Sequence, residues 1–92
     1  MLSNVINLSG NYQIQGQTLT NQFHSLKICE RKNPTKLKTS KFLILKSKDY
    51  PKGIYVSSLY ERHQGIYSIE YQKIRYQISL KEASAEITVF RK

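Results

Sequence analysis

Cysteine, acidic residues and long apolar runs are scarce in this sequence of 92 residues. The single cysteine, Cys29, excludes an internal disulfide and a cysteine-rich zinc site, and such sparing use of cysteine is typical of a reducing compartment. No segment approaches the roughly 18 apolar residues of a membrane span, and the N-terminus lacks the basic and apolar regions of a signal peptide. We therefore expect a soluble, cytoplasmic protein with no membrane partner.

The motifs of common enzyme classes are also missing. The chain has no Gly-rich phosphate loop, no G-x-S-x-G turn and no H-E-x-x-H pair, and its two histidines are too few and too isolated for a metal site. We therefore predict no catalytic residue, no cofactor and no bound metal. One enzymatic alternative stays open, a metal-independent ribonuclease that uses Tyr60, Arg62 and His63.

Basic residues, by contrast, are abundant and unevenly placed. There are 15 Lys and Arg against 6 Asp and Glu, which gives a formal net charge of +9. This excess makes nucleic acid or an acidic protein surface the expected partner. The segment 31–52 contains a single acid, Asp49, and the following basic residues: Arg31, Lys32, Lys36, Lys38, Lys41, Lys46, Lys48 and Lys52.

Two tyrosines accompany this basic segment and suggest how bases could be bound. Tyr50 lies near the end of the segment and Tyr55 follows it, and exposed tyrosines on a sheet can stack on the bases of a single strand. Most of the seven tyrosines are needed for packing in so small a core, so we expect at most two to be free for stacking. The sequence thus predicts a non-enzymatic nucleic-acid-binding protein, with a single strand favoured over a duplex. Its predicted site consists of the eight basic residues of segment 31–52 together with Tyr50 and Tyr55.

The N-terminal segment carries no charge at all. Residues 1–26 contain no Lys, Arg, Asp or Glu, and residues 2–16 alternate apolar and polar side chains as two short strands would. An uncharged strand edge can pair with another chain. The alternative function is therefore a protein–protein interaction module or accessory subunit that assembles through these strands, including as a homo-oligomer. The same edge could instead be hidden inside a closed barrel.

The segment from Ile66 to Leu80 is the clearest strand signal, since seven of its fifteen residues are Ile or Tyr. Its apolar face changes parity at Gln72-Lys73. A hairpin with these two residues as its loop would pair Tyr71 with Ile74, and a β-bulge in one bent strand is the competing account. We favour the hairpin.

The remaining segments complete an all-β interpretation. We predict strands at 20–30, 42–45, 54–60 and 87–91, with Phe42 to Leu45 buried on both faces and Ile78 opposite Val89. A basic loop or arm is predicted at about 31–41, and turns are predicted at 48–53, 61–65 and 81–86. The fold class is a single domain over 1–92 with eight strands and little or no helix, built as a small antiparallel barrel or two tightly packed sheets of OB or SH3-like size. Its predicted core is Ile6, Leu8, Ile14, Leu26, Ile28, Phe42, Ile44, Val56, Ile69, Tyr71, Ile74, Ile78, Ile87 and Val89.

Overall fold

The computed structural model describes residues 5–33 and 38–90, which form nine strands and no helix. The strands are β1 (Gly10–Gln15), β2 (Thr18–Thr20), β3 (Ser25–Asn33), β4 (Lys38–Lys46), β5 (Ile54–Ser58), β6 (Tyr60–His63), β7 (Ile66–Tyr71), β8 (Ile74–Leu80) and β9 (Ser84–Val89). The predicted all-β class is confirmed, with nine strands where eight were expected. In the described ranges no helix is present that could span a membrane.

All nine strands belong to one antiparallel sheet, in the order β5-β4-β3-β2-β1-β9-β8-β7-β6. Neighbours in the sheet are consecutive in the chain except that β1 pairs with β9, where Gly10 lies opposite Ile87. β5 and β6 are the two edges of the sheet, although only Leu59 separates them in the chain. The sheet thus curls into a nearly closed barrel, which confirms the predicted barrel, and its opening lies between β5 and β6.

A serine hydroxyl bridges this opening. β6 pairs with β7 only as far as Ser68, and beyond it the backbone N–H of Glu70 donates to Ser57 Oγ of β5 at 3.3 Å. Ser57 Oγ itself donates to the Ser58 carbonyl oxygen at 2.9 Å. Ser57 is buried, and its side chain therefore connects β5 to β7 where no backbone ladder does.

Alternate side chains of the strands fill the barrel because successive residues of a strand point to opposite faces. The buried hydrophobic residues are Leu8, Tyr12, Leu19, Leu26, Leu43, Leu45, Val56, Tyr67, Ile69, Tyr76, Ile78, Ala85 and Ile87. Six predicted core residues are confirmed among them: Leu8, Leu26, Val56, Ile69, Ile78 and Ile87. The predicted residues that pack against this core while only partly buried are Ile6, Ile14, Ile28, Tyr71 and Ile74.

Three core predictions are wrong. β4 sends Leu43 and Leu45 into the barrel, so Phe42 and Ile44 face outward and are half-buried instead of lying in the core. Val89 is 41% exposed because it lies at the end of β9. Phe42 to Leu45 is therefore fully buried on one face only.

The hairpin at Gln72-Lys73 is confirmed, and with it the pairing of Tyr71 with Ile74. Gln72 and Lys73 have φ angles of 53° and 67°, the left-handed pair that a two-residue type I′ turn requires. Gln72 Oε1 also accepts a hydrogen bond from the Ile6 backbone N–H at 2.7 Å. The turn therefore fastens the N-terminal segment to the end of the barrel.

Replacing Lys73 with Gly should raise the free energy of unfolding by about 0.5–1 kcal/mol. The left-handed conformation costs an L-residue about 1–2 kcal/mol, which Gly avoids, and the larger entropy that Gly loses on folding offsets part of the gain. Urea denaturation followed by circular dichroism measures the difference. Lys81→Gly is the matched control, since Lys81 has no positive φ, and it should not stabilise the protein. Equal midpoints for Lys73→Gly and the unaltered protein would contradict the prediction.

The predicted loop or arm at 31–41 is largely strand. β3 continues through Asn33 and β4 begins at Lys38, so the loop prediction is wrong for 31–33 and 38–41, while 34–37 lie outside the described residues. β2 pairs only with residues 25–27 of β3, and β5 pairs only with residues 42–45 of β4. The outer part of the hairpin is therefore a two-stranded ribbon. Its register continues from the buried Leu26–Leu45 pair, which fixes it although the outer residues are polar.

Other boundaries also differ from the predicted ones. The predicted strand 20–30 is interrupted at 21–24, where Asn21 Oδ1 accepts from the Phe23 and His24 backbone N–H groups, both at 2.8 Å. Residues 61–63 belong to β6 instead of to a connection. β9 begins inside the turn predicted at 81–86, so Ile78 lies opposite Ile87 and not Val89. Shifting the β8–β9 register by two residues leaves the same side chains of both strands facing the core. The alternation of apolar and polar residues therefore does not distinguish the two registers.

The segment 5–9 forms no strand, which shortens the region predicted as strand at 2–16. Leu8 is nevertheless fully buried, and the Tyr12 hydroxyl donates to its carbonyl oxygen at 2.6 Å. The Tyr76 hydroxyl accepts from the Leu8 backbone N–H and donates to the Ile6 carbonyl oxygen, both at 3.4 Å. Burial raises the pKa of Tyr12 to about 12 and lowers the pKa of His24, whose Nδ1 lies 3.4 Å from the Tyr12 hydroxyl. Two interior tyrosines therefore satisfy the backbone of a segment without strand pairing.

Candidate nucleic-acid interface

The outward side chains of β3, β4 and β5 form a surface that is both aromatic and basic. The positions follow from the register, because Leu26, Leu43 and Leu45 point inward and their neighbours along each strand point outward. We call this surface the β3–β5 outer face, and its principal residues are Lys27, Cys29, Arg31, Phe42, Ile44, Lys46 and Tyr55. Among the described outward residues of these three strands there is no Asp or Glu.

One of these side chains, Phe42, contacts two others, Tyr55 and Arg31. The Phe42 and Tyr55 rings are 5.9 Å apart between centroids and are inclined by 34°. Arg31 Cζ lies 5.5 Å from the centroid of the Phe42 ring, within the range of a cation–π contact. Tyr55 is 59% exposed, and its hydroxyl lies 3.0 Å from Ser58 Oγ. The sheet therefore presents two aromatic rings and a guanidinium group side by side, partly open to solvent.

The β4–β5 turn limits one end of this face. Gly53, at φ +90°, packs against Ile44 so closely that an added Cβ would lie 2.4 Å from Ile44 Cγ2 and 3.3 Å from Lys46 Cγ. A side chain at residue 53 would therefore strain the backbone and displace Ile44. This tight contact holds the turn against the end of the face at which Ile44 and Lys46 lie.

The structure divides the predicted site residues between two sides of the sheet. Arg31, Lys46 and Tyr55 lie on the β3–β5 outer face. Lys32 and Lys41 have the opposite parity, and Lys41 Nζ lies 5.8 Å from the centroid of the Tyr67 ring near the opening of the barrel. The predicted block is thus continuous in sequence but not on the surface.

The other predicted residues lie in the adjoining β4–β5 turn, in the ribbon or beyond what is described. Lys48, Tyr50 and Lys52 are exposed in the β4–β5 turn. Tyr50 lies close to Tyr71, whose pKa is raised mainly by burial and in part by Tyr50. Lys38 is the register partner of Asn33 in the ribbon, and Lys36 lies outside the described residues.

Sequence reasoning missed Lys27, Phe42 and Ile44. Lys27 precedes the basic segment, and the outward positions of Phe42 and Ile44 were hidden inside an apolar run of four residues. The sequence did contain a sign that this strand has one solvent-facing side. Lys41 and Lys46 flank the run, and a strand whose ends are charged and near solvent is more often buried on one face than on two.

A second surface, on the outer side of β6, β7 and β8, gathers the residues of the enzymatic alternative. A groove of about 450 Å³ is lined by Tyr60, Arg62, His63, Glu70, Arg75 and Phe90, among others. We call it the β6–β8 groove. Arg62 Nε donates to Ser68 Oγ at 3.0 Å, and Arg75 Nε lies 3.6 Å from Glu70 Oε1. The structure thus brings Tyr60, Arg62 and His63 to one groove and adds Glu70, Arg75 and Phe90, which sequence reasoning did not select.

The uncharged N-terminal strands offer no open backbone edge. β1 is paired with β2 and β9, and β2 is paired with β1 and β3, as the closed-barrel alternative predicts. The edges are β5 and β6 instead. β6 is four residues long, carries three ionisable side chains at residues 61–63 and contains a register shift between Glu61 and His63. Short, charged and irregular edges resist pairing with another chain.

Two further findings bear on the site. Over residues 5–33 and 38–90, no group of three or more His, Cys, Asp or Glu side chains is arranged so that it could hold a metal ion. Comparisons of the chain with protein-family models, with curated proteins and with solved structures find no match.

Proposed function

We propose that this protein binds nucleic acid without catalysing a reaction, and that the β3–β5 outer face is the binding surface. The observation that carries the proposal is the contact of Arg31, Phe42 and Tyr55 on an open sheet face. The absence of acidic side chains among the outward residues described there adds to it, since no carboxylate would repel a phosphate.

The two kinds of side chain on this face have separate roles. Lys27, Arg31 and Lys46 are cations that can neutralise phosphates and release counterions, which provides affinity without reading sequence. Phe42 and Tyr55 can stack on bases, which are accessible in a single strand and covered in a duplex. A single strand is therefore the favoured ligand. The half-buried free thiol of Cys29 on the same face suits a cytoplasmic location, where thiols stay reduced.

The direct test is fluorescence anisotropy with labelled single-stranded and double-stranded DNA and RNA at about 50 and 200 mM salt. We expect saturable binding that favours a single strand and weakens about tenfold or more at the higher salt concentration, because several phosphates are engaged. Binding that is weak, equal for all four ligands and insensitive to salt would overturn the proposal.

Charge reversal locates the site. Arg31→Glu combined with Lys46→Glu should abolish most of the binding, since both residues lie on the β3–β5 outer face. Lys81→Glu is the matched control, because Lys81 is exposed between β8 and β9 and on neither candidate surface. If the double variant loses no more affinity per reversed charge than Lys81→Glu, net charge, and not this face, determines affinity.

A protein–protein interaction module is the second candidate function. It is favoured by Phe23, which is 72% exposed at the end of the loop between β2 and β3 and is held there by the Asn21 side chain. An exposed aromatic side chain in an uncharged region suits a protein partner, including another copy of this chain. Light scattering on the same samples tests it: self-association that Phe23→Ser removes would support this candidate.

A further inference from the structure

We propose that the β6–β8 groove binds one nucleotide, with the phosphate against Arg62 and Arg75 and the base against the ring of Tyr60 or Phe90. The groove lies across the barrel opening from the β3–β5 outer face and shares none of its principal residues. The inference is therefore independent of the proposed function.

The size and charge of the groove set the class of ligand. Its volume of about 450 Å³ falls within the roughly 300–1,000 Å³ of small-molecule sites. Arg62, Arg75 and His63 face a single carboxylate there, that of Glu70, so the lining favours an anion. Planar guanidinium groups match phosphate oxygens through paired N–H donors.

The contacts of the two arginines leave them able to receive a phosphate. Arg62 uses its Nε–H for Ser68 Oγ, which fixes the side chain, while its two terminal amino groups make no hydrogen bond or ion pair with another described residue. The Arg75–Glu70 pair is 3.6 Å long, and both side chains are more than half exposed, at 58% and 59%. So exposed an ion pair contributes little, and a dianionic phosphate can compete with Glu70 for Arg75.

The aromatic side chains distinguish a nucleotide from a bare phosphate. Tyr60 is 59% exposed and lies opposite Ser68. Phe90 is 47% exposed and directly follows β9, and its backbone N–H donates to the Arg75 carbonyl oxygen at 2.8 Å. One ring thus lies near each arginine. The Gln77 side chain, opposite Ser68 in the register, also lines the groove and offers an amide donor and acceptor for a base edge.

Calorimetric titration and amide chemical shifts test the proposal, with the four ribonucleoside monophosphates, inorganic phosphate and unphosphorylated nucleosides as probes. We expect at least one monophosphate to bind more tightly than phosphate and than its own nucleoside, with shifts concentrated in residues 60–70, 75–77 and 90. Arg62→Gln should weaken this binding about tenfold or more, the loss typical of a charge-assisted hydrogen bond. Phe90→Leu or Tyr60→Leu, whichever ring holds the base, should weaken the monophosphate but not phosphate.

Lys81→Gln is the matched control, since Lys81 is exposed between β8 and β9 and lies on neither surface, and it should leave monophosphate binding intact. A labelled oligonucleotide distinguishes a free nucleotide from one unit of a strand: if the strand is the source, Arg62→Gln also weakens the oligonucleotide. Phosphate and monophosphate binding equally, or a monophosphate that binds Arg62→Gln as well as the unaltered protein, would overturn the inference. Shifts in residues 60–70, 75–77 and 90 report binding in this groove, and they are read separately from shifts on the β3–β5 outer face, so the failure of one proposal is distinguishable from the failure of the other.

Discussion

Ile78→Asp should leave the protein unfolded at 25 °C. Ile78 is 1% exposed, and its register partners on either side are Tyr67 and Ile87, both buried. Losing a buried aliphatic side chain of this size costs about 2–5 kcal/mol, and an unpaired carboxylate in the same place adds several kcal/mol. The sum equals or exceeds the roughly 5–10 kcal/mol available to a domain of this length. Far-ultraviolet circular dichroism and the loss of a cooperative thermal transition measure the effect.

Gln77→Asp is the matched control for this prediction. Gln77 precedes Ile78 on β8 but faces outward between Ser68 and Thr88, so the same new carboxylate reaches water. We expect its free energy of unfolding to change by about 1 kcal/mol or less. A normal thermal transition for Ile78→Asp, or unfolding of both variants, would show that the two faces of β8 are assigned wrongly.

Phe42→Ala and Tyr55→Ala should each weaken single-strand binding about 5- to 150-fold, corresponding to about 1–3 kcal/mol for each base stack lost. The two rings are in contact on an open face, so the double variant should lose less than the sum of the two, because neighbouring residues are coupled. Duplex binding should change far less, since paired bases are covered. Anisotropy titration with matched single-stranded and double-stranded ligands measures both effects.

Two control variants separate stacking from other causes. Tyr55→Phe keeps the ring and should retain the affinity, although it loses the contact with Ser58 Oγ. Tyr50→Ala removes a tyrosine that the sequence predicts for the site but that lies in the β4–β5 turn and is not among the principal residues of the β3–β5 outer face, and it should leave binding unchanged. If Phe42→Ala and Tyr55→Ala lose no more affinity than Tyr50→Ala, base stacking on this face is excluded.

The sequence predicts the fold better than the surface because strand alternation is a local property. The parity change at Gln72-Lys73 favoured the hairpin over a β-bulge, since a two-residue loop there puts both apolar sets on one face, and the structure has the hairpin. The run Phe42 to Leu45 has no alternation, so its residue types could not show that only Leu43 and Leu45 are fully buried. The β8–β9 register was wrong by two residues for a related reason: Ile87 and Val89 have the same parity.

The candidate site depended on long-range geometry that the sequence does not contain. The local excess of charge at residues 31–52 was visible, but which lysines share a surface is decided by the parity of each residue relative to the barrel. Arg31 and Lys32 are adjacent in the chain and lie on opposite sides of β3. Phe42 reaches Arg31, and Tyr55 reaches Phe42, only because β4 and β5 fold back beside β3. Arg62 and Arg75 meet in one groove because β6 and β8 flank β7.

The pairing of β1 with β9 has a consequence for the nascent chain. β1 is synthesised before the other eight described strands, yet one of its two neighbours in the sheet is β9, which is synthesised after them. At about 5–20 residues per second, that edge of β1 waits several seconds for its partner. β1 and β2 carry no charged side chain that would repel another chain during this interval. The strands that are fully paired in the finished barrel are thus the ones most open to mispairing while the protein is being synthesised.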